Sequence, residues 1–338
     1  MRSGKWHIIS TFAGAVLFAA SAGVAFSSCE RIYDDLEPCP HGVSLRFVYD
    51  YNMEYANAFP SSVDCLTLYI YDSDGRYVDT ETVTGAQLQD ENYRMTLDLD
   101  KGTYRFIAYG GLACGEKTFS VVQEPSSGSM YTDMRVEMDK DRLSAPAAGD
   151  RRLHNLFWGD LTLATADLYS EGTVEMMKNT NNIRIVLQQL NGEPVRVDDF
   201  SFEITDDNTL FGYNNDLIPN GMVTYTPWSS GEAVAGVSGE GQPVVVAYSE
   251  FSVSRLMKKN SPKLIIRLKD GGKEVVNIPV NDYLLLLKSD LYSKMEPQEF
   301  LDRESVWSVV FFLGSDMSWI RTHIKINDWT VRINNTEM

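Results

Sequence analysis

Apolar and polar residues alternate along most of the chain. In "VSLRFVYDY" the apolar side chains fall at Val43, Leu45, Phe47 and Tyr49, and in "CLTLYIYD" at Leu66, Leu68 and Ile70. A period of two places such residues on one face of an extended strand. The rhythm returns in "YRMTLDLDKGTYRFIAYGG", where Lys101-Gly102 supplies a turn, and at Met134, Val136 and Met138. It lapses between Asp139 and Gly159, where "SAPAAGDRR" is small, polar and proline-containing, and so reads as a loop. "LHNLFWGDLTLA" resumes a strand. A second block then repeats the grammar in "NNIRIVLQQL", "DFSFEIT", "PVVVAYSEFSVSRL", "PKLIIRLKD", "KEVVNIPV", "SVWSVVFFLG" and "THIKINDWTVRIN". Residues 206–243, rich in Asn, Gly, Ser, Thr and Pro, read as long loops. One segment departs from the rhythm. "NDYLLLLKSDLYSKM" sets Leu284, Leu287 and Leu291 three and four apart behind Asn281, the pattern of an amphipathic helix with a polar cap.

Many short strands in two successive blocks predict an all-β chain of two tandem β-sandwich domains, with one helix in the second. The expected divisions are a leader over residues 1–28, a tether over 29–40, a first sandwich over 41–168 and a second over 169–338. The junction falls near "DLYSEG". No period of about 20–50 residues recurs, which excludes a solenoid or propeller.

The leader changes the picture of where the chain works. Arg2 and Lys5 precede an uncharged stretch from Ile8 to Phe26, closed by Ser27, Ser28 and Cys29. A basic start, an apolar middle and a small-residue end make a secretory signal. The stretch ends at Ser-Ser-Cys and resembles a bacterial lipobox, with Phe26 where Leu is usual. Cys29 therefore reads as a lipidation site. The other readings are a disulfide partner and an uncleaved transmembrane anchor. In an exported chain Cys39, Cys65 and Cys114 allow one bridge and one free thiol, in three pairings, with Cys114 favoured as a member. Their spacing has no CxxC pair, which disfavours structural zinc.

Composition adds exclusions. A formal net charge of −17 argues against a nucleic-acid partner. His41, His154 and His323 stand alone, without metal or triad spacing. Asp72, Asp74 and Gly75 look like the start of a calcium loop, but the position for its closing Glu holds Val83, so a β-turn is expected. No GxSxG, P-loop or HExxH occurs, and the acidic pairs sit in turns or tethers, so no enzyme, cofactor or metal is expected. The aromatics Trp307 and Trp329 fit core positions on strands. Trp228, in a loop-rich stretch, suits either core or an exposed platform for sugar stacking.

Two blocks of residues carry a family resemblance. "CERIYDDLEPCPHGVSLRFVYDYNMEYANAFPSSVDCLTLYIYDSDGRYV" resembles the N-terminal part of the FimB/Mfa-type fimbrial anchor lipoproteins of Bacteroidota. Gln298 to Glu304, "QEFLDRE", resembles that family's QEYLDRE signature, and "IKINDWTVRINN" its last strands. The resemblance implies transthyretin-like sandwiches, a lipid on Cys29 and a place on the outer face of the outer membrane. It also implies a structural role: members hold a fimbria to the cell, and some limit its length. Stalk subunits are the implied partners, joined by strand addition to a sheet edge. The terminal stretch from His323 to Ile333 is the expected contact, with Ile324, Ile326, Trp329, Val331 and Ile333 as its apolar set, unless it only closes its own sandwich. Alternative roles are a surface glycan-binding lipoprotein and a tip or minor adhesin subunit. No small-molecule substrate is expected.

Overall fold

In the computed structural model, which describes residues 41–166, 169–237, 241–288, 290–326 and 329–333, strands numbered in chain order form four sheets. Cys29 and Cys39 lie outside the described residues. The first sheet runs, in spatial order, β3 (Tyr77–Thr84), β2 (Cys65–Tyr71), β5 (Thr103–Gly110), β8 (Phe157–Ala164), β9 (Tyr169–Lys178), β1 (Gly42–Val48), β4 (Met95–Leu97). The second runs β15 (Ser229–Val237), β16 (Pro243–Ser254), β10 (Thr180–Gln189), β19 (Val306–Leu313), β20 (Trp319–Ile326), β21 (Trp329–Ile333). A third is β14 (Val223–Tyr225), β11 (Phe200–Asp206), β17 (Lys263–Leu268), β18 (Glu274–Pro279). The fourth is β13 (Leu217–Ile218), β12 (Leu210–Gly212), β7 (Arg135–Met138), β6 (Phe119–Val121). The α-helices are short: α1 (Phe59–Ser62), α2 (Val280–Leu285) and α3 (Pro297–Arg303). The architecture is mostly β and sandwich-like, with curled sheets.

Strand β2 shows how the first sheet is used. All seven of its residues are buried. Leu66, Leu68 and Ile70 point into one core with Val43, Leu45, Phe47, Phe106 and Val174, around which the first sheet curls. Tyr69 and Tyr71 point the other way, beside Ile107 and Tyr109, into a second core that continues through Ile185, Phe251, Ile266 and Phe311. The sheet is thus a wall with apolar packing on both faces. The alternation legible in "CLTLYIYD" separates two cores, not core from water.

The two blocks are bonded through main chain. In the fourth sheet β7 of the first block pairs with β12 of the second: Glu137 with Leu210, Val136 with Phe211, Arg135 with Gly212. Phe211, fully buried, meets Phe119 edge-on at 6.2 Å. Tyr131 and Tyr213 do the same at 5.2 Å. Strand β9 belongs to the first sheet, paired with β8 and β1, and the chain changes sheets at Asn179 before β10 begins. Residues 206–243, read from sequence as loops, supply β12 to β15. Short strands need little apolar sequence when partner backbones satisfy their N–H and C=O groups, and here Phe211, Leu217 and Tyr225 are buried anchors enough.

The helix expected over "NDYLLLLKSDLYSKM" is shorter and is not alone. Helix α2 stops at Leu285, and α3 follows within the "QEFLDRE" stretch. Asn281 does not cap α2. It is buried and donates to the carbonyls of Met257 at 2.7 Å and Asn260 at 3.3 Å. Leu284 and Leu287 reach the core, but Leu291 is 71% exposed, so nothing draws the helix further.

Cys65 of β2 and Cys114 form a disulfide that closes a loop of 49 residues. By chain entropy such a closure stabilises by about 4 kcal/mol.

Shared sheet and continuous core together predict one cooperative unfolding transition for both blocks. Phe211→Ala should cost about 3–5 kcal/mol in urea denaturation followed by tryptophan fluorescence. Two separated transitions in the parent protein would contradict the fused core.

Candidate functional site

The second sheet ends in a hairpin. Strand β20 pairs with β19 on one side and with β21 on the other, joining Ile324 to Val331 and Ile326 to Trp329. The apolar set expected on one terminal strand is therefore divided: Ile324 and Ile326 lie on β20, and Trp329, Val331 and Ile333 on β21. Their backbone register is described, while their side chains lie outside the described residues. Among the described strands β21 is the sheet's last, and no described strand pairs with its outer edge. Unpaired N–H and C=O groups on an edge can template another strand.

Elsewhere in the second sheet a buried polar frame ties the end of β16 to α3, which leads into β19. Arg255, just past β16, donates from Nε and Nη2 to the two carboxylate oxygens of Asp302 on α3, both at 2.8 Å. Its Nη1 donates to the carbonyl of Asn215 at 2.6 Å. Asn215 in turn exchanges side-chain hydrogen bonds with Asn179, the sheet-switching residue, at 2.6 and 3.0 Å. Asn215 has φ +64°, a conformation Asn tolerates better than most residues. Gln298 completes the frame. It donates to Asp302 and to the Leu256 carbonyl, and accepts the Lys258 N–H.

Every recognisable residue of "QEFLDRE" has a structural task. Phe300 is buried and packs edge-on against Trp307 of β19 at 5.8 Å. The Arg303 guanidinium lies 4.1 Å from the ring centre of Tyr51 and 4.6 Å from that of Tyr55, and donates to the carbonyls of Asp50 and Asn52. The motif thus clasps the loop after β1. Glu304 accepts the N–H groups of Ser305 and Val306 at the start of β19, and burial raises its pKa above the ordinary value.

Other expected positions resolve simply. Trp307 is buried, its indole N–H donating to Asn181 at 3.1 Å. Trp228 is half-buried at a cleft of about 260 Å³ beside Trp307, with the Arg152 guanidinium 4.8 Å from its ring centre. The Asp72 carboxylate accepts the N–H groups of Asp74 and Arg76, closing a turn in which Gly75 has φ +82°. His41 Nδ1 lies 3.0 Å from Asp98. Among the described residues no cluster of three His, Cys, Asp or Glu could hold a metal, and no helix is long and apolar enough to cross a membrane. Sequence reasoning missed Arg255, Asn179 and Asn215. Their only signal was polar residues inside strand-rich segments.

The chain matches the sequence profile of the fimbrillin-A associated anchor proteins Mfa1 and Mfa2 over residues 36–335. Among solved structures, a candidate adhesin from Bacteroides thetaiotaomicron is 64% identical with a TM-score of 0.84, covering 89% of this chain and 100% of that one. A candidate polysaccharide-binding protein from the same organism is 26% identical with a TM-score of 0.73, covering 88% of this chain and 99% of that one. The fimbrial anchor protein Mfa2 from Porphyromonas gingivalis, 13% identical, shares the fold with a TM-score of 0.63 over 87% of this chain and 99% of that one. No curated protein matches.

Two stability measurements test the frame. Asp302→Ala strands Arg255 and should cost about 3–5 kcal/mol, whereas Arg255→Met with Asp302→Leu should cost clearly less. Asp206 offers a pH test. Burial, only partly offset by hydrogen bonds from Asn260 and the Asp207 N–H, pushes its carboxyl up to about 6 from 3.8. Between about pH 4 and 6 the folded chain keeps a proton the unfolded chain has lost, so this group's stabilising contribution falls as pH rises through that window. Asp206→Asn should flatten that segment of the stability–pH curve.

Proposed function

Because the chain belongs to the family of fimbrillin-A associated anchor proteins, a structural and adhesive family rather than an enzymatic one, we propose that it is the adhesive subunit of a surface fimbria. The observation that carries this reading is the 64% identity, over nearly the whole chain, to a candidate adhesin. In this reading the two blocks are transthyretin-like sandwiches fused at the shared sheet, with β9 completing the first. The open backbone edge of β21 receives a strand from a stalk subunit, and main-chain pairing supplies the generality of that contact. Cys29 carries the lipid that holds the chain to the outer membrane during export and assembly. One myristoyl-sized chain binds a membrane only marginally, so firm tethering needs a second chain.

A second reading keeps the same edge and lipid but sets the protein at the base of the fimbria, as the anchor. The family's description favours it, as does a cysteine at the end of an exported leader.

Deleting the gene separates the two. The adhesive reading expects cell-bound fimbriae of normal length that no longer attach to their surface, with immunogold label at the distal ends of the parent's fimbriae. Fimbriae shed into the medium, with label at the cell wall, would establish the anchor instead. In either case Cys29→Ser should leave an unprocessed precursor that fails to fractionate with the outer membrane.

A further inference from the structure

Beside β8 the surface opens into a cleft of about 400 Å³. One wall is the loop from Gly115 to Thr118. The other is formed by the tight turns at Lys140–Ser144 and Ala148–Arg151, and Leu153 to Asn155 make the floor. Each part is pinned. Cys114, next to Gly115, is bonded to Cys65 in the middle of the first sheet's chain path. Thr118 accepts the His154 N–H on its hydroxyl at 2.9 Å and the Asp139 N–H on its carbonyl at 2.9 Å. The Leu153 N–H donates to the Ser252 hydroxyl at 3.1 Å, and Arg151 Nε to the Ala145 carbonyl at 2.8 Å. Gly111 has φ +106° and stands so close to the Asn155 carbonyl that a Cβ would lie 2.2 Å from its oxygen, so only glycine lets the loop enter there. Walls held this way lose little freedom when something binds between them.

The charges in the cleft are arranged unevenly. Arg142 has Asp139 at 3.5 Å. Arg152 pairs with no carboxylate among the described residues; it is exposed, with its guanidinium over the Trp228 ring, 4.8 Å from the ring centre. It lies close enough to Lys178 that its charge, second to burial, helps bring that amine down to about 8. Lys178 also feels the Glu304 carboxylate, so on a chain of net charge −17 the positive charge left without an acid partner at the cleft is that of Arg152. Glu116 on one wall and Asp150 on the other also line the cleft, where carboxylates can accept hydroxyl hydrogens. A rigid recess with one unpaired guanidinium, two hydroxyl acceptors and the amide of Asn155 suits a ligand carrying both a carboxylate and several hydroxyls. A guanidinium fork matches a carboxylate with two parallel hydrogen bonds.

We propose that this cleft binds an acidic sugar, with the carboxylate of a sialic or uronic acid seated on Arg152 and the ring hydroxyls on Glu116, Asp150 and Asn155. A neutral sugar leaves Arg152 unmatched, and a bare anion leaves the hydroxyl acceptors unmatched. The site rests on the adhesive reading for its purpose and deepens it by naming the ligand class.

Calorimetric titration of the purified chain tests it, with 3′-sialyllactose and trigalacturonic acid as the two acidic probes, lactose as the neutral control and acetate as the bare anion. One acidic sugar should bind with a Kd below about 10 mM, lactose and acetate should bind at least about tenfold more weakly, and Arg152→Ala should weaken the acidic sugar by about tenfold or more. Which probe binds distinguishes a sialylated from a uronate-bearing surface. Equal binding of lactose or acetate, no loss in Arg152→Ala, or no binding of either acidic sugar at about 10 mM would overturn the proposal. None of these failures bears on where the protein sits along the fimbria, which the imaging decides separately.

Discussion

The buried pairing of Arg255 with Asp302 is the constraint from which most of the architecture can be reconstructed. Taking two charges out of water costs several kcal/mol each, and the interior tolerates them only when their hydrogen-bonding capacity is used. Here it is: Nε and Nη2 meet one carboxylate, Nη1 meets the Asn215 carbonyl, and Gln298 adds a further donor to Asp302. Those partners come from four places in the chain. Asn215 lies between β12 and β13 in the shared sheet, Asn179 lies where the chain changes sheets, Arg255 follows β16, and Asp302 rides on α3. Losing any one of these partners would leave a buried charge short of its hydrogen bonds. The frame therefore fixes how the end of β16, α3 and the turn between β12 and β13 meet, beyond what apolar burial would select.

Much of the strand pattern was readable, because side-chain alternation is a local property. Its meaning was not. The alternation in "CLTLYIYD" gives no sign that Tyr69 and Tyr71 also face a core, since that depends on β7 and β12 covering the far side. The helix was read too long because Leu284, Leu287 and Leu291 carry the right spacing while the environment of Leu291 is a tertiary fact. The strands within residues 206–243 were invisible because their stability comes from partner backbones. "QEFLDRE" was recognisable as a signature, yet its task was not, because Arg303 meets Asp50, 253 residues earlier. Of the cleft's lining only His154 was singled out from the sequence, and then as an isolated histidine. Arg152 sits in the stretch where periodicity lapses, and its stacking on Trp228 crosses the blocks.

That division follows a general logic. Strands fix a scaffold, and loops held on it carry recognition. The stretch from Asp139 to Arg152 has little regular structure, yet its turns are tied to β16, to the Cys114 loop and to the segment around Trp228. An acidic surface repels non-specific polyanions, while an arginine without an acid partner leaves a place where a negative group is less disfavoured.

Strand β1 has a mechanical consequence. It is the first described strand of the chain, and instead of lying at an edge it sits inside the first sheet, in parallel register with β9 from Gly42 through Val48 and antiparallel to β4. A pull directed along β1 loads that ladder in shear, so its rungs must yield together rather than open in turn as in peeling an edge strand. The Arg303 clasp on the loop just beyond β1 passes the same tension to α3 and from there to β19, next to the hairpin of β20 and β21. Force entering at β1 reaches the neighbourhood of β20 and β21 through buried strands and the contacts of one arginine with two rings and two carbonyls, so the mechanical strength of the fold rests on shear rather than on peeling.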